Sequence, residues 1–335
     1  MLRVVGLAIG IAMLGMMVSC GGSKQDSVVV YTALDEIYSR PILDAFTAET
    51  GISVQAVYDT EAAKTTGLVT RLISERGRPR CDVFWNNEVA QTILLQERGV
   101  LAPFKPAASD AIPATFKDPE FYWTGFAARA RVIIYNTDRV IEPPTSIQDF
   151  IRPEHKGQCA IALPLFGTTA THAAALFAAW GEADAMAFFQ KLVDNDVAFV
   201  AGNGVVRDAV ARGEYAFGLT DTDDANGAVV DGFPVRWLLP DQDGLGTLLI
   251  PNTVALIKDG PNPTAAERLI EYLLSPEVEK RLSESRSIQI PLNPSVSAPE
   301  SVPDNATIHT MTPSFSEMAA QMEESATQLR ALLVR

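Results

Sequence analysis

The densest chemistry in this chain is Asp221-Thr222-Asp223-Asp224, three carboxylates within four residues. Ionised side by side they repel, and they are costly unless a cation binds. The same run also reads as an Asp-rich turn capping the helix that follows. Hard metal ions such as Fe³⁺ or Ca²⁺ take carboxylate oxygens, and two carboxylates would equally satisfy a protonated amine. Asp223 and Asp224 are the candidate ligands, with Asp221 a weaker one.

A second constellation has the opposite sign. Leu165-Phe166-Gly167-Thr168-Thr169-Ala170 follows an apolar strand and starts an Ala-rich helix. Its amides, its two hydroxyls and the helix dipole make an anion site of Thr168 and Thr169; Thr168 could instead be a plain N-cap. Gly202-Asn203-Gly204 precedes another helix and offers Asn203 as a further donor. Arg129 and Arg131 alternate with alanines along a strand and share one face, reaching a cleft or forming salt bridges within the fold. Tyr31, Tyr58, Trp85 and Trp123 could cage an organic cation or pack in the core. Together these groups suit a metal ion with a bound anion, or one zwitterion.

Enzymatic chemistry finds little support. The chain has no GxSxG elbow, HExxH pair, P-loop or dinucleotide fingerprint. His155, His172 and His309 are the only histidines, and none forms a ligand-spaced pair. A hydrolytic or metal-dependent α/β enzyme is therefore the less favoured alternative to a binding protein. With 41 acidic and 27 basic residues the net charge is −14, which argues against nucleic acid or an anionic membrane face as partner.

Strands and helices alternate. Val28–Tyr31, Ile52–Val57 and Asp82–Trp85 read as buried strands, separated by helices carrying Ile42, Leu43 and Phe46, then Leu68, Leu72 and Ile73. A helix over Val89–Gly99 follows. A second unit begins near residue 157, with strands at Cys159–Leu163, Ala198–Val200 and Tyr215–Thr220 and helices at Thr168–Trp180 and Val205–Arg212. This order predicts parallel sheets with right-handed crossovers. The apolar runs Arg131–Tyr135 and Thr253–Ile257 are candidates to cross between two lobes. Asn262-Pro263 opens a helix, and Ser314–Leu333 closes the chain as an amphipathic one. Cys81 and Cys159 could pair in an oxidising compartment, but they lie beside apolar runs of different units, which favours two separate buried thiols.

The N-terminus carries its own message. After Arg3, Val4–Val18 is apolar apart from glycines, too short for a comfortable span but suited to a signal peptide. Met17-Val18-Ser19-Cys20 resembles a lipoprotein processing box, with Met17 where leucine is usual. The expectation is a signal peptide over 1–19, a lipid on Cys20 and a tether over 20–27.

Several stretches together resemble the ferric-ion-binding branch of the bacterial extracellular solute-binding proteins of ABC importers. They are Val30–Asp35, FTAETG from Phe46 to Gly51, Cys81–Trp85, Gly99–Pro103, Arg129–Asn136, Arg212-Gly213-Glu214 and NPTAAERLIEYLLSPE from Asn262 to Glu277. The resemblance implies an α/β, type II periplasmic-binding-protein-like fold: two lobes, a cleft between them and crossing strands. It implies an N-lobe of 28–132 plus about 253–290 and a C-lobe of 133–252 plus about 291–335. It also implies a monomer at the periplasm or cell surface, touching the membrane only through its lipid and handing ligand to a permease. No resident cofactor is implied; Fe³⁺, or another metal ion with a synergistic anion, would be the transported ligand. An organic cation or zwitterion, such as an aminoalkylphosphonate, a polyamine or thiamine, is the alternative.

Where that branch has a histidine this chain has Asp35, and its glutamate falls on Asn87, beside Glu88. Its tyrosine pair falls on Asp223-Asp224. The implied metal ligands are therefore Asp35, Asp223 and Asp224, with no phenolate or imidazole among them. Its anion-holding turn corresponds to Thr168 and Thr169.

Overall fold

The computed structural model describes residues 26–59 and 66–334. The expected signal peptide, Cys20 and nearly all of the tether lie outside the described residues.

In chain order the elements are β1 (Ser27–Thr32), α1 (Glu36–Thr50), β2 (Ser53–Tyr58), α2 (Thr66–Glu75), β3 (Val83–Asn86), α3 (Val89–Glu97), β4 (Leu101–Ala102) and β5 (Thr124–Asn136). Then come β6 (Cys159–Ala162), α4 (Gly167–Trp180), α5 (Glu182–Asp194), β7 (Ala198–Val200), α6 (Asn203–Ala211), β8 (Phe217–Asp221), α7 (Thr222–Val230) and β9 (Val235–Leu238). The chain returns through β10 (Leu249–Ile257), α8 (Pro263–Leu273), α9 (Pro276–Glu284) and α10 (Phe315–Leu333).

Strand order is β2-β1-β3-β10-β5-β8-β6-β7, with β4 on β10 and β9 on β5. The hydrogen-bonded path is continuous, but it consists of two sheets that meet at β5. The first part of β5 pairs antiparallel with β10, through Thr124–Ala130; the second, Arg131–Tyr135, pairs with β8. On either side the strands are parallel, β1 with β2 and β3, and β6 with β7 and β8. This is the two-lobed, type II binding-protein architecture, with β5 and β10 as the crossing strands.

Helices cover both faces of each sheet, which is why the strands read as continuous apolar runs. In the first lobe Ile42, Leu43 and Phe46 of α1 pack with Leu269, Ile270 and Leu273 of α8. Leu72, Ile93 and Leu95 fill the other face. In the second lobe Leu176, Phe177, Phe188 and Phe189 lie on one face, and Val206, Val210, Ala225 and Ala228 on the other. Gly218 of β8 runs so close to α6 that a Cβ there would meet Val206 Cγ1 at 2.5 Å, so glycine sets the approach that brings β8 beside the start of α6.

The crossing strands are irregular where they change partners. The β5–β10 register shifts at Pro251/Asn252, and Ala127 sits at φ 40°, a left-handed conformation unfavourable for a residue with a Cβ. Its N–H donates to Glu279 at 2.7 Å, and the Asn252 amide donates to its carbonyl. Buried Glu279 also accepts the Leu292 and Asn293 N–H groups, both at 2.9 Å. These bonds hold the strain at the junction of the lobes. Cys81, just before β3, and Cys159, at the start of β6, are separate buried free thiols, as expected.

Candidate functional site

Ligands of parallel α/β sheets collect beyond the carboxyl ends of the strands. Here β1 runs toward Asp35, β3 into Asn87 and Glu88, β7 into Gly202-Asn203 and β8 into Asp221. Helix α4 begins at Gly167 just after β6, and β5 contributes Arg129 and Arg131. The structure therefore brings the predicted residues of both lobes to one cleft, but it gives them different tasks.

Arg131 forms the buried centre. It is 0% exposed and donates to Asp221 Oδ1 at 2.6 Å, Thr168 Oγ1 and Asn203 Oδ1 at 3.1 Å, and Thr169 Oγ1 at 3.2 Å. Thr168 donates to Asp221 Oδ2 at 2.7 Å, and the Asn203 amide donates to Thr168 at 2.8 Å and to Asp221 at 3.1 Å. This corrects the expected anion turn: the Thr168, Thr169 and Asn203 side chains face inward and lock α4, α6 and β8 together. Nor is Thr168 the N-cap, a position held by Phe166. What α4 still presents is the dipole of its first turn.

The repulsion foreseen for the aspartates is met by the protein itself. Arg129 approaches Asp221 and Asp223, each at 3.4 Å, and donates to the Asn87 carbonyl at 2.8 Å. Arg207 lies 3.6 Å from Asp224. So both arginines make salt bridges, Arg131 wholly buried behind Asp221 and Arg129 nearly so beside Asp223. Burial alone would raise the Asp221 pKa, but Arg131 and Arg129 outweigh it and hold the carboxyl below its ordinary range. Asp224 moves the other way, to about 7, through burial and then through the charges of Asp223 and Asp221.

Asp223 and Asp224 are half-buried at the start of α7, while Asp221 is buried behind them. One carboxylate oxygen from each lies within 4.8 Å of the others. Asp35 is exposed before α1 on the facing lobe, and its charge, like those of Asp223 and Asp224, acts on both Arg129 and Tyr38. Tyr38 was missed in the sequence. It stands one turn into α1 from Asp35, and the helical spacing would have placed it beside the candidate.

Glu88 needs correction too. Its carboxylate caps α3, accepting the Ala90 and Gln91 N–H groups at 2.9 Å, and takes the Thr171 hydroxyl of α4 at 2.7 Å. It ties the two lobes together at the cleft base. Asn87 beside it is 5% exposed. The aromatic cage fails: Tyr31, Trp85 and Trp123 are buried in the cores, and Arg40 stacks over the Tyr58 ring. His172 is buried next to Arg131, and burial followed by that charge brings its pKa to about 3, so it packs as a neutral ring.

The profile of the bacterial extracellular solute-binding proteins matches residues 42–310. The chain belongs to the bacterial extracellular solute-binding protein family. Members bind solutes for transport, so this solute-binding protein is not an enzyme. Among its relatives is iron uptake protein A1 of Synechocystis sp., 28% identical over 286 residues, 80% of this chain and 76% of that one. A Salmonella paratyphi A protein named for 2-aminoethylphosphonate binding is 28% identical over 278 residues, 78% of each chain. The ferric binding protein from Campylobacter jejuni superposes with a TM-score of 0.83 over 92% of this chain and 100% of that one, at 24% identity. That superposition supports the fold.

Proposed function

We propose that this solute-binding protein is the capture component of an ABC importer and that its cargo is ferric iron, or another hard metal ion with a bound anion. The observation that carries the reading is the gathering of the Asp221, Asp223 and Asp224 oxygens within 4.8 Å, with Asp35 on the facing lobe. Four carboxylates face three guanidiniums, those of Arg129, Arg131 and Arg207. The surplus is negative, and bringing Asp35 toward the pair raises it locally. A cation removes that opposition, so binding and lobe closure are coupled. Arg129 and the first turn of α4 supply the positive field for an accompanying anion. The name of the Synechocystis relative supports the iron reading.

One observation favours a second cargo. Arg129 sits beside Asp223, so a zwitterion could place an anionic end on the guanidinium and an ammonium on Asp223 and Asp224. The Salmonella relative's name fits an aminoalkylphosphonate of this kind. A polyamine or thiamine would want the aromatic cage, whose Tyr31, Trp85 and Trp123 are buried in the cores. A thermal-shift screen of metal-stripped protein tests both readings: Fe³⁺ with anions should raise the melting temperature most, and stabilisation by an aminophosphonate alone would select the second.

The finer parts of the account belong to the same proposal. Residues 1–19 are removed, Cys20 carries the lipid and 20–27 is the tether. The N-lobe takes 28–132 and about 253–290, and the C-lobe 133–252 and about 291–335. The protein works as a monomer at the periplasm or cell surface beside its permease.

A further inference from the structure

The net charge of −14 conceals a local reversal on the first lobe. A surface hollow of about 370 Å³ opens beside Arg76, Arg80, Arg98 and Lys258, with Glu75 and Asp259 as the acids on its wall. Arg78 is exposed in the same Arg76-Gly77-Arg78-Pro79-Arg80 run. Glu75 is already engaged, accepting the Tyr31 hydroxyl at 2.9 Å and pairing with Arg71 at 2.8 Å. Among the described residues, none of the five cations forms an ion pair. Arg76 and Arg98 follow the ends of α2 and α3, where helix carbonyls attract positive charge, and Arg76 donates to the Arg98 carbonyl at 3.1 Å. Among the described residues, the side chains of Arg78, Arg80 and Lys258 have no such partner.

Strand register locates the hollow. Val30 is level with Val83 on the parallel pair and the Asp82 N–H donates to the Val29 carbonyl, so Arg80, two residues before Asp82, lies at the end of the sheet where β1 begins. Leu256 is level with Val83 on the other side, so Lys258 comes level with Cys81. The cations therefore line the edge where the described fold starts, opposite the strand ends that lead to Asp35, Asn87 and Glu88.

We propose that this edge is a docking surface for the anionic headgroups of a phospholipid membrane. The inference rests on the lipid anchor assigned to Cys20. From Cys20 to Asp26 is a tether of roughly 20 Å when fully extended, so the edge at β1 stays near the bilayer. Cations held there come within the about 8 Å over which charge is felt at physiological salt. Acidic residues on the far faces, a molecular radius of roughly 20 Å away, are screened. Seated this way, the cleft points away from the bilayer toward arriving ligand, and the protein lifts off to present it to a permease.

Vesicle sedimentation tests this with the full chain carrying Cys20→Ser, so that no lipid contributes. Vesicles of phosphatidylcholine alone report whatever the apolar N-terminal segment binds; a second set has a third of its lipid as phosphatidylglycerol. The expected result is binding at least about fivefold tighter to the anionic set, falling with added salt. Arg80→Glu with Lys258→Glu should abolish the gain, and Arg80→Gln with Lys258→Gln should reduce it. Lys191→Glu with Arg330→Glu, the same number of reversed exposed charges elsewhere, should keep it. Equal binding to both vesicle sets overturns the proposal, as does a gain that survives reversal at Arg80 and Lys258. Displacement by inorganic phosphate at constant ionic strength also overturns it, since the hollow would then hold a small free anion. Fatty-acid labelling of the unsubstituted chain reports on Cys20 separately, so failure of the anchor is distinguishable from failure of the surface.

Discussion

Replacing Arg131 by methionine tests the ionic centre beneath the cleft. Methionine keeps much of the volume and removes a fully buried charge that lies 2.6 Å from Asp221. Asp221 is left with Arg129 at 3.4 Å and with the Thr168 and Asn203 donors at 2.7 and 3.1 Å. Removing one partner of a buried pair costs about 3–5 kcal/mol. Because those donors survive, the lower end, about 3 kcal/mol, is expected. Denaturant unfolding followed by circular dichroism gives the value. The pH dependence gives the sign. A carboxyl whose folded-state pKa is depressed contributes stability above its unfolded pKa and loses it as pH falls through the folded one. Without Arg131 the burial of Asp221 weighs more, so the carboxyl takes up a proton more readily. The gap between parent and variant should be widest at neutral pH and should narrow below about pH 4. Adding Asp221→Asn to Arg131→Met should restore more than half of the loss, since neither buried charge then remains. A loss below about 1 kcal/mol, within the range of ordinary surface changes, or a gap independent of pH, would refute the reasoning.

Three further outcomes follow from the site and the anchor. The Asp224 pKa is raised to about 7 in the ligand-free fold, so its contribution to stability is present below the unfolded value and lost as pH rises through about 7. Cation affinity should therefore climb through the same window, by up to about tenfold per pH unit. Titration with citrate-buffered iron should show that climb, and Asp224→Asn should flatten it; a flat parent profile would count against the assignment. Asp223-Asp224 stand where the ferric-binding branch has its tyrosine pair, so iron binding should bring no strong tyrosinate charge-transfer band. A visible band that disappears in Tyr38→Phe would show that the phenol ligates the metal. Cys20→Ser should move the protein from the membrane fraction to the soluble one after a high-salt wash, which removes electrostatic docking, and unchanged retention after that wash would contradict the anchor.

Much of the fold was legible because both sheets are buried on both faces. Apolar runs such as Val28–Tyr31 and Cys159–Leu163 announce their strands to within two residues of the observed ends. The start of β5 before Arg129 did not, since Gly125, Ala127 and Ala128 are small residues whose strand is imposed by pairing with β10. Helix α5 was overlooked although Ala185, Phe188, Phe189 and Leu192 carry a helical stripe. In the site, residue types pointed to the right cleft but not to the direction of each side chain. A sequence shows that Thr168, Glu88 and Asp221 are polar; it does not show that an arginine, a helix end or a hydroxyl from the other lobe already occupies them. Thr168→Val, mild if Thr168 merely met an anion, now removes a buried donor to Asp221 and should cost stability of about 1–3 kcal/mol.

The central claim is that Asp223 and Asp224 hold a cation at the cleft. Calorimetric titration of metal-stripped parent, Asp223→Ala and Asp224→Ala proteins with citrate-buffered Fe³⁺ tests it most directly. Each charge-assisted contact is worth about 1.5–3 kcal/mol, so each variant should bind about tenfold more weakly or worse. Asp224→Ala should melt no lower than the parent in the absence of metal, because Asp224 is the carboxyl whose ionisation burial and its neighbours oppose. If both variants bind as the parent does, the acidic run only starts α7, and the assignment of this cleft to a metal cargo is wrong.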